Sequence, residues 1–394
     1  MNTRITKCMQ CKSEKLFPFL DLGFHPHSDQ FRLNRDTPEM TYPLELQLCE
    51  DCTLIQLTYM VDRAELFTKD YLYESSITKT ALKHWEEMSS SIIKKLGITS
   101  GLVVDIGSND GTLLQRFKNK GLSVLGVDPC KEVTDVAKKN GIPTHVDFWK
   151  KGIVKDADVI LGTNVFCHIE SYDDFMEAVK DSLKPDGVFV FESPYVMNFI
   201  NELQYDTVYH QHVTYIGVKS CINFLEKVGM EIFDIEFTKI HGGSFRCYVA
   251  PKGQRVVQPI VQETIDKEHI NKETMLDFAK KVKNHRAQLM SLLWGLKGEG
   301  KSIAAVSCPA KGMTLLNACG IDKGILDFAT ERSTLKQGRY TPGSHILIED
   351  DKVLVERQPD YALLLAWNFY PEIIKNNPEF KGKWIIPTQN IQII

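Results

Sequence analysis

The stretch Tyr205–Tyr215 reads Tyr-Asp-Thr-Val-Tyr-His-Gln-His-Val-Thr-Tyr, three tyrosines and two histidines within eleven residues. No apolar stripe at helical spacing accounts for them, so they make a poor core and a plausible proton-transfer cluster. Histidine titrates near neutrality and serves as a general base, and tyrosine stabilises a developing oxyanion. His210 and His212 could instead bind a metal, but no carboxylate or third histidine stands nearby at metal-site spacing.

A second group is Cys8-x-x-Cys11 with Cys49-x-x-Cys52. Each pair sits on a short turn that aims two thiolates at one ion, and two such turns give a tetrahedral four-sulfur site suited to Zn²⁺. Four protein ligands leave no open position, so the expected role is structural. Tyr42 to Leu48 reads as the strand delivering the second pair. His25 and His27 could replace a ligand or line the mouth of a site.

The third group is Val103–Leu114, VVDIGSNDGTLL. A strand runs into Asp105, Gly107 and Gly111 bracket a tight loop, and an apolar-periodic helix follows. Glycine lets the chain turn sharply and lets a ligand approach without a Cβ in the way. The loop lacks the Lys-Ser/Thr of a phosphate loop, and Asn109 takes the place of the second glycine of G-x-G-x-x-G. The next strand, Leu122 to Val127, ends in Asp128, placed to accept both hydroxyls of an adenosyl ribose. NAD would satisfy that geometry too. D-x-G-x-x-x-G after a strand resembles motif I of class I S-adenosylmethionine (SAM) methyltransferases. That likeness implies that Asp105, Gly107, Asn109 and Gly111 cradle the cofactor, with Asp147 at the adenine.

Elements of an α/β chain must position these groups. Helices are expected at Ala81–Lys95 and Glu132–Asn140, and strands at Pro143–Val146, Ala157–Leu161 and Val188–Glu192, the last entered by a Lys184-Pro-Asp-Gly187 turn. Ligands bind at the carboxyl ends of strands in open sheets, which puts Asn164 and His168 beside cofactor or acceptor. Val256–Gly298 reads as mostly helical, with apolar residues near Leu276, Phe278, Val282, Leu289 and Leu292. Strands Ser302–Val306, Ile325–Ala329 and Tyr361–Trp367 then suggest a second Rossmann-like unit without a SAM loop. There Lys311 opens a helix after a strand, a natural anion site. Arg246, after two glycines, is a second phosphate candidate, with a surface salt bridge as its plainer reading. The expected division is a zinc-binding domain at 1–70, a SAM-dependent domain at 71–245 and a Rossmann-like substrate-binding domain at 246–394.

With 394 residues and net charge −4 the composition is globular. A nucleic-acid partner would need a clustered basic face, which is missing. No apolar run approaches a membrane span and the N-terminus lacks a secretion signal's apolar core, so the expected compartment is the cytoplasm. Ten cysteines in a reducing compartment read as metal ligands plus buried thiols.

The order of features resembles sugar C-methyltransferases that act on nucleotide-linked 4-keto-deoxysugars. The zinc pairs, the hydroxyl-rich stretch Asp70–Thr80, Asn164-Val-x-x-His168, Tyr205-Asp-x-x-Tyr209-His210-x-His212, His241-Gly-Gly-Ser-Phe-Arg246 and Ala310-Lys-Gly-x-Thr-Leu-Leu-Asn317 carry the match over essentially the whole chain. The resemblance implies His212 as base, with Tyr209, His168 and Tyr73 beside the sugar. It also implies that Tyr71, Ser75, Ser76 and His210 bind substrate; without it, Asp70–Thr80 is a cap and turn before a helix. It gives a SAM-dependent methyl transfer to C3, with structural zinc, in a monomer or weak homo-oligomer. One departure is Gln211, where the family usually has glutamate. Glutamine cannot take a proton at neutral pH, so activity should be weaker or tuned to another sugar. Rival readings are an O- or N-methyltransferase, an epimerase-like relative, or a non-catalytic SAM and zinc binding protein.

Overall fold

The computed structural model describes residues 2–67 and 79–394. The N-terminal part is a small antiparallel sheet of β1 (Leu16–His25), β2 (Tyr42–Cys49) and β3 (Ile55–Leu57). In β2 the period-two pattern is plain: Leu44, Leu46 and Leu48 point inward and are buried. Helix α1 (Lys79–Leu96) follows and buries Trp85, Met88 and Ile92, a helical stripe, on the next sheet.

That sheet starts with β4 (Leu102–Ile106), α2 (Thr112–Asn119), β5 (Ser123–Asp128), α3 (Lys131–Lys139) and β6 (Thr144–Val146). It continues through β7 (Ala157–Thr163), α4 (Tyr172–Ser182) and β8 (Leu183–Pro194). Short strand β9 (Thr214–Tyr215) leaves it and pairs with β3 of the N-terminal sheet, before α5 (Val218–Lys227). Strands β10 (Met230–Thr238) and β11 (Ser244–Pro251) complete seven strands in the order β10-β11-β8-β7-β4-β5-β6. The core strands are parallel and near-continuously apolar, as a sheet covered on both faces requires. Strand order reverses at β4, which places the end of β4 at the switch point where ligands bind.

Two helices lead onward. In α6 (Pro259–Lys267) proline opens the first turn; α7 (Lys272–Gly298) is capped by Asn271, whose Oδ1 accepts from Thr274 N at 3.0 Å. The second sheet contains β12 (Ile303–Val306), β13 (Phe328–Glu331), β14 (Ile348–Asp350), β15 (Tyr361–Leu364), β16 (Lys383–Ile386) and β17 (Gln392–Ile393), in the order β14-β13-β12-β15-β16-β17. Helix α8 (Ala310–Cys319) follows β12, so this unit too has its switch point at the end of its first strand.

Several sequence expectations shift. Lys184 to Gly187 lies within β8, across a register irregularity between Leu183 and Val188, instead of forming a free turn. Strand β13 starts at Phe328, because Ile325 N and Leu326 N both bond Asp322 O in a turn. Strand β15 ends at Leu364, and Leu276 is 54% exposed on α7. The expected boundary at 245/246 falls inside β11. Among the described residues, no helix is long and apolar enough to cross a membrane.

Candidate active site

At the N-terminal end, Cys8, Cys11, Cys49 and Cys52 place their sulfurs within 4.8 Å of one another. Both turns are built alike. Lys12 N bonds Cys8 O at 3.0 Å and Thr53 N bonds Cys49 O at 2.9 Å, and Lys12 and Thr53 both have left-handed φ, 66° and 65°. Four convergent thiols on paired turns fit Zn²⁺, and Cys8, Cys11, Cys49 and Cys52 would hold it. His25 and His27 are not in this group: His25 Nε2 bonds Leu22 O at 2.9 Å, and His27 lies 3.7 Å from Glu65.

A cavity of about 880 Å³ lies between the carboxyl ends of the two parallel sheets. Its first wall is the β4–α2 loop. Gly107 and Gly111 have φ of +69° and +78°; a Cβ on Gly107 would sit 2.8 Å from Val165 Cγ2. Asn109 also adopts a left-handed φ, 50°, which asparagine tolerates better than most residues, so the loop closes without a third glycine. Asp128 ties the loop down: Oδ2 accepts from Asn109 N and Oδ1 from Cys130 N, both at 2.9 Å. Asp105 is 4% exposed, and burial, then Asp128, push its carboxyl well above the ordinary range. Asp105 Oδ1, Ser108 Oγ, Thr163 Oγ1 and Asn164 Oδ1 are buried, belong to residues lining the cavity and have no hydrogen-bond partner among the described residues. A cradle of orphaned acceptors around glycine backbone fits a cationic, polyhydroxyl cofactor such as SAM. Asp147 lines the outer part, ion-paired with Lys150 and held below its ordinary range by that hydrogen bond.

The opposite wall carries the proton-transfer cluster. Strand β9 pairs with the N-terminal sheet, and Val213 N bonds Cys167 O at 2.7 Å, so His212 and His168 meet, with ring centroids 5.2 Å apart. His212 Nδ1 lies 3.0 Å from Thr207 O and His168 Nδ1 lies 2.5 Å from Gln211 O. A carbonyl only accepts, so each Nδ1 carries the proton and each Nε2 holds a lone pair. Tyr209 then donates its hydroxyl to His212 Nε2 at 2.6 Å. Burial, then His168, hold the His212 ring well below its ordinary range and therefore neutral at neutral pH. Cys167 lies close to these two rings. Both His212 nitrogens are engaged in hydrogen bonds, which suits a base better than a metal ligand.

Two expected substrate contacts are corrected. Arg246 is 3% exposed in β11 and gives a two-pronged bond to Glu192, Nε at 3.1 Å and Nη2 at 2.7 Å, and a third to Glu236 at 2.9 Å. It is an internal ion pair, with no charge left over for phosphate. His210 is fully buried against His27 and Tyr42, and burial pushes its pKa down to about 3. Its Nε2 lies 3.3 Å from Pro43 O, so the ring faces the N-terminal sheet and is not part of the cavity wall. Lys311 does line the cavity; its Nζ bonds Asn368 Oδ1 and lies 3.8 Å over the Trp367 ring, and burial brings its pKa down to about 8. Tyr71, Tyr73, Ser75 and Ser76 lie outside the described residues.

The cavity also holds residues to which the sequence reading gave no role. His241 has φ 54° and a buried Nε2 without a hydrogen-bond partner among the described residues, and burial brings its pKa to about 4. The following Gly242 and Gly243 complete a left-handed turn locked by Gln204 Nε2 on Gly242 O at 2.7 Å. A histidine before two glycines was the available signal. Asp29 and Glu331 had none, because they come from loops remote in sequence.

In comparisons with known proteins, residues 8–67 match a family described as a zinc binding domain, residues 83–234 one described as a methyltransferase domain, and residues 239–388 one described as a C-methyltransferase C-terminal domain. The C-methyltransferase NovU of Streptomyces niveus is 31% identical over 408 residues, 99% of this chain and 97% of that protein. Bcer98_3087 of Bacillus cytotoxicus, described as an uncharacterized methyltransferase, is 27% identical over 135 residues, 32% of this chain and 60% of that protein. Among solved structures, the PH0226 protein of Pyrococcus horikoshii is matched over 49% of this chain and 100% of its own, at 15% identity and a TM-score of 0.39.

Proposed function

The chain belongs to the C-methyltransferases, and on that premise we propose that this SAM-dependent enzyme methylates C3, beside the ketone of a nucleotide-linked 4-keto-deoxysugar. The observation that carries the reading is the Tyr209–His212 pair, hydrogen-bonded at 2.6 Å and facing the same cavity as the orphaned cofactor cradle. A neutral histidine beside a tyrosine hydroxyl is what removal of a proton next to a ketone requires.

When bound, SAM supplies the electrophilic methyl. Tyr209 turns its hydroxyl from His212 Nε2 to the ketone oxygen, which frees the nitrogen lone pair. His212 Nε2 takes the C3 proton, and the electron pair of that C–H bond moves toward the ketone to form an enolate. Tyr209 donates its hydroxyl to the enolate oxygen, while His168, its Nδ1 proton committed to Gln211 O, lines the site beside it. The loop after β4 and Asp128 would hold SAM so that its methyl is supplied to C3, and orientation in the cavity would supply much of the rate. The proton stays on His212 until solvent removes it. Asp105 and Asp128, both in the cavity wall, would help hold SAM. At the far wall, Lys311 and Lys336 face the sugar's pyrophosphate.

The test is mass spectrometry of a panel of nucleotide-linked 4-keto-6-deoxysugars incubated in D₂O with and without SAM. The expected product gains one methyl only with SAM, on carbon by NMR. Methyl on oxygen or nitrogen would replace this reading with another methyltransferase. Deuterium uptake alone would leave an epimerase-like enzyme, and neither change would leave a binding protein.

A further inference from the structure

The loop between the two cysteine pairs reaches out of the N-terminal sheet into the cavity. Asp29 is carried on it and lines the wall beside the cluster. The loop is held from the C-terminal unit. Arg32 and Tyr340 exchange two backbone bonds, at 3.2 and 2.7 Å, Arg339 Nη1 reaches Phe31 O at 3.2 Å, and Lys336 Nζ lies 4.7 Å over the Phe31 ring. Its other end touches the central unit: Gln211 Nε2 donates to Asp29 Oδ2 at 3.1 Å.

Asp29 is half-buried; desolvation raises its pKa, and the nearby Lys336 acts against that rise. An ionised carboxylate only accepts, so the Gln211 amide must face it with NH₂. That fixes the other end: Gln211 Oε1 is turned away, buried, and without a hydrogen-bond partner among the described residues. The same residue's backbone carbonyl holds His168 Nδ1.

We propose that Asp29 is a positioning residue for methyl transfer, which orients the Gln211 amide so that its Oε1 is presented as a fixed acceptor for a hydroxyl or amino donor on the sugar. The proposal rests on the catalytic reading above. It also makes Gln211 and Asp29 a matched pair. A glutamate at 211 would set two carboxylates about 3 Å apart at a site half-closed to water, where ionising both is unfavourable. Restoring the family's residue therefore harms this enzyme unless position 29 is neutralised.

The experiment compares Asp29→Ala, Gln211→Glu and the exchanged pair Asp29→Asn/Gln211→Glu with wild type, by steady-state methyl transfer, SAM affinity and thermal midpoint without substrate. Asp29→Ala and Gln211→Glu are each expected to lower kcat by about 10-fold, the scale of one charged hydrogen bond, with SAM affinity unchanged. Gln211→Glu also lowers the midpoint. The exchanged pair, whose amide and carboxylate trade places, regains both quantities. Wild-type kcat and KM in Asp29→Ala, or an exchanged pair no better than Gln211→Glu, would overturn the proposal. Should Asp29→Ala not fold, the comparison of Gln211→Glu with the exchanged pair decides. If wild type methylates no sugar of the panel, the functional reading fails, while the midpoints alone still decide whether 29 and 211 are coupled.

Discussion

The central and C-terminal units build the same backbone corner and give it opposite electrostatics. In the central unit Asp128, at the end of β5, accepts from Asn109 N in the loop after β4. In the C-terminal unit Glu331, at the end of β13, accepts from Cys308 N at 2.7 Å in the loop after β12. Each carboxylate also accepts nearby backbone: Cys130 N for Asp128, and Arg332 N and Ser333 N for Glu331. The first strands differ. Strand β4 carries Asp105, buried with an orphaned Oδ1, where β12 is Ile-Ala-Ala-Val. The loop after β4, Gly-Ser-Asn-Asp-Gly, carries no cation, whereas the loop after β12 leads to Lys311, with Lys336 bonded to Cys308 O at 2.9 Å. One corner therefore suits a cation-bearing ligand and the other an anion, and what decides is the charge placed on a shared scaffold.

The largest expected effect lies between the corners. His212→Ala should lower transfer by about 1000-fold while SAM still binds, measured by methyl incorporation and calorimetry; normal turnover would remove His212 from the chemistry. Next comes the direct contrast. Asp128→Ala should weaken SAM binding by roughly 10- to 100-fold, the loss of hydrogen bonds to a charged group, while Glu331→Ala leaves SAM affinity alone and raises KM for the sugar. If Glu331→Ala weakens SAM instead, the two corners are not divided as described.

Smaller effects probe what holds the corners together. Removing zinc with a chelator should lower both the thermal midpoint and kcat, since the loop bearing Asp29 runs between the cysteine pairs; unchanged kcat would separate the metal from the site. The last concerns His210. Its folded pKa, about 3, lies below the ordinary histidine value near 6.5. The folded state then binds fewer protons than the unfolded one between those values, so this stability is present above pH 6.5 and lost as pH falls. The loss is on the order of 2 kcal/mol at pH 5. His210→Gln should flatten the thermal midpoint between pH 6.5 and 5, and an unflattened profile would mean that His210 is not the group responsible.

Local patterns carried much of this in the sequence. The apolar run before Asp105, the glycine spacing and the acidic residue after the next strand specify a cofactor corner, because a ligand-binding turn is made by residues adjacent in the chain. The doubled C-x-x-C does the same for the four-sulfur site. Arg246 and His210 show the limit. The sequence puts each beside residues that matter, but pairing decides which way it points: β11 lies against β8 and β10, which bury Arg246 between Glu192 and Glu236. Strand ends moved for a similar reason, since a turn bond such as Leu326 N to Asp322 O competes with the ladder.

The sequence by itself determined the elements, the order of the three parts and the residue types able to move a proton. Only the tertiary structure decided that Asp29 meets Gln211 and that Glu331 mirrors Asp128. The first contact joins residues 182 positions apart, and the second likeness joins two separate sheets. Such contacts depend on how strands pair and loops dock, through long-range burial and backbone hydrogen bonds that no local pattern records.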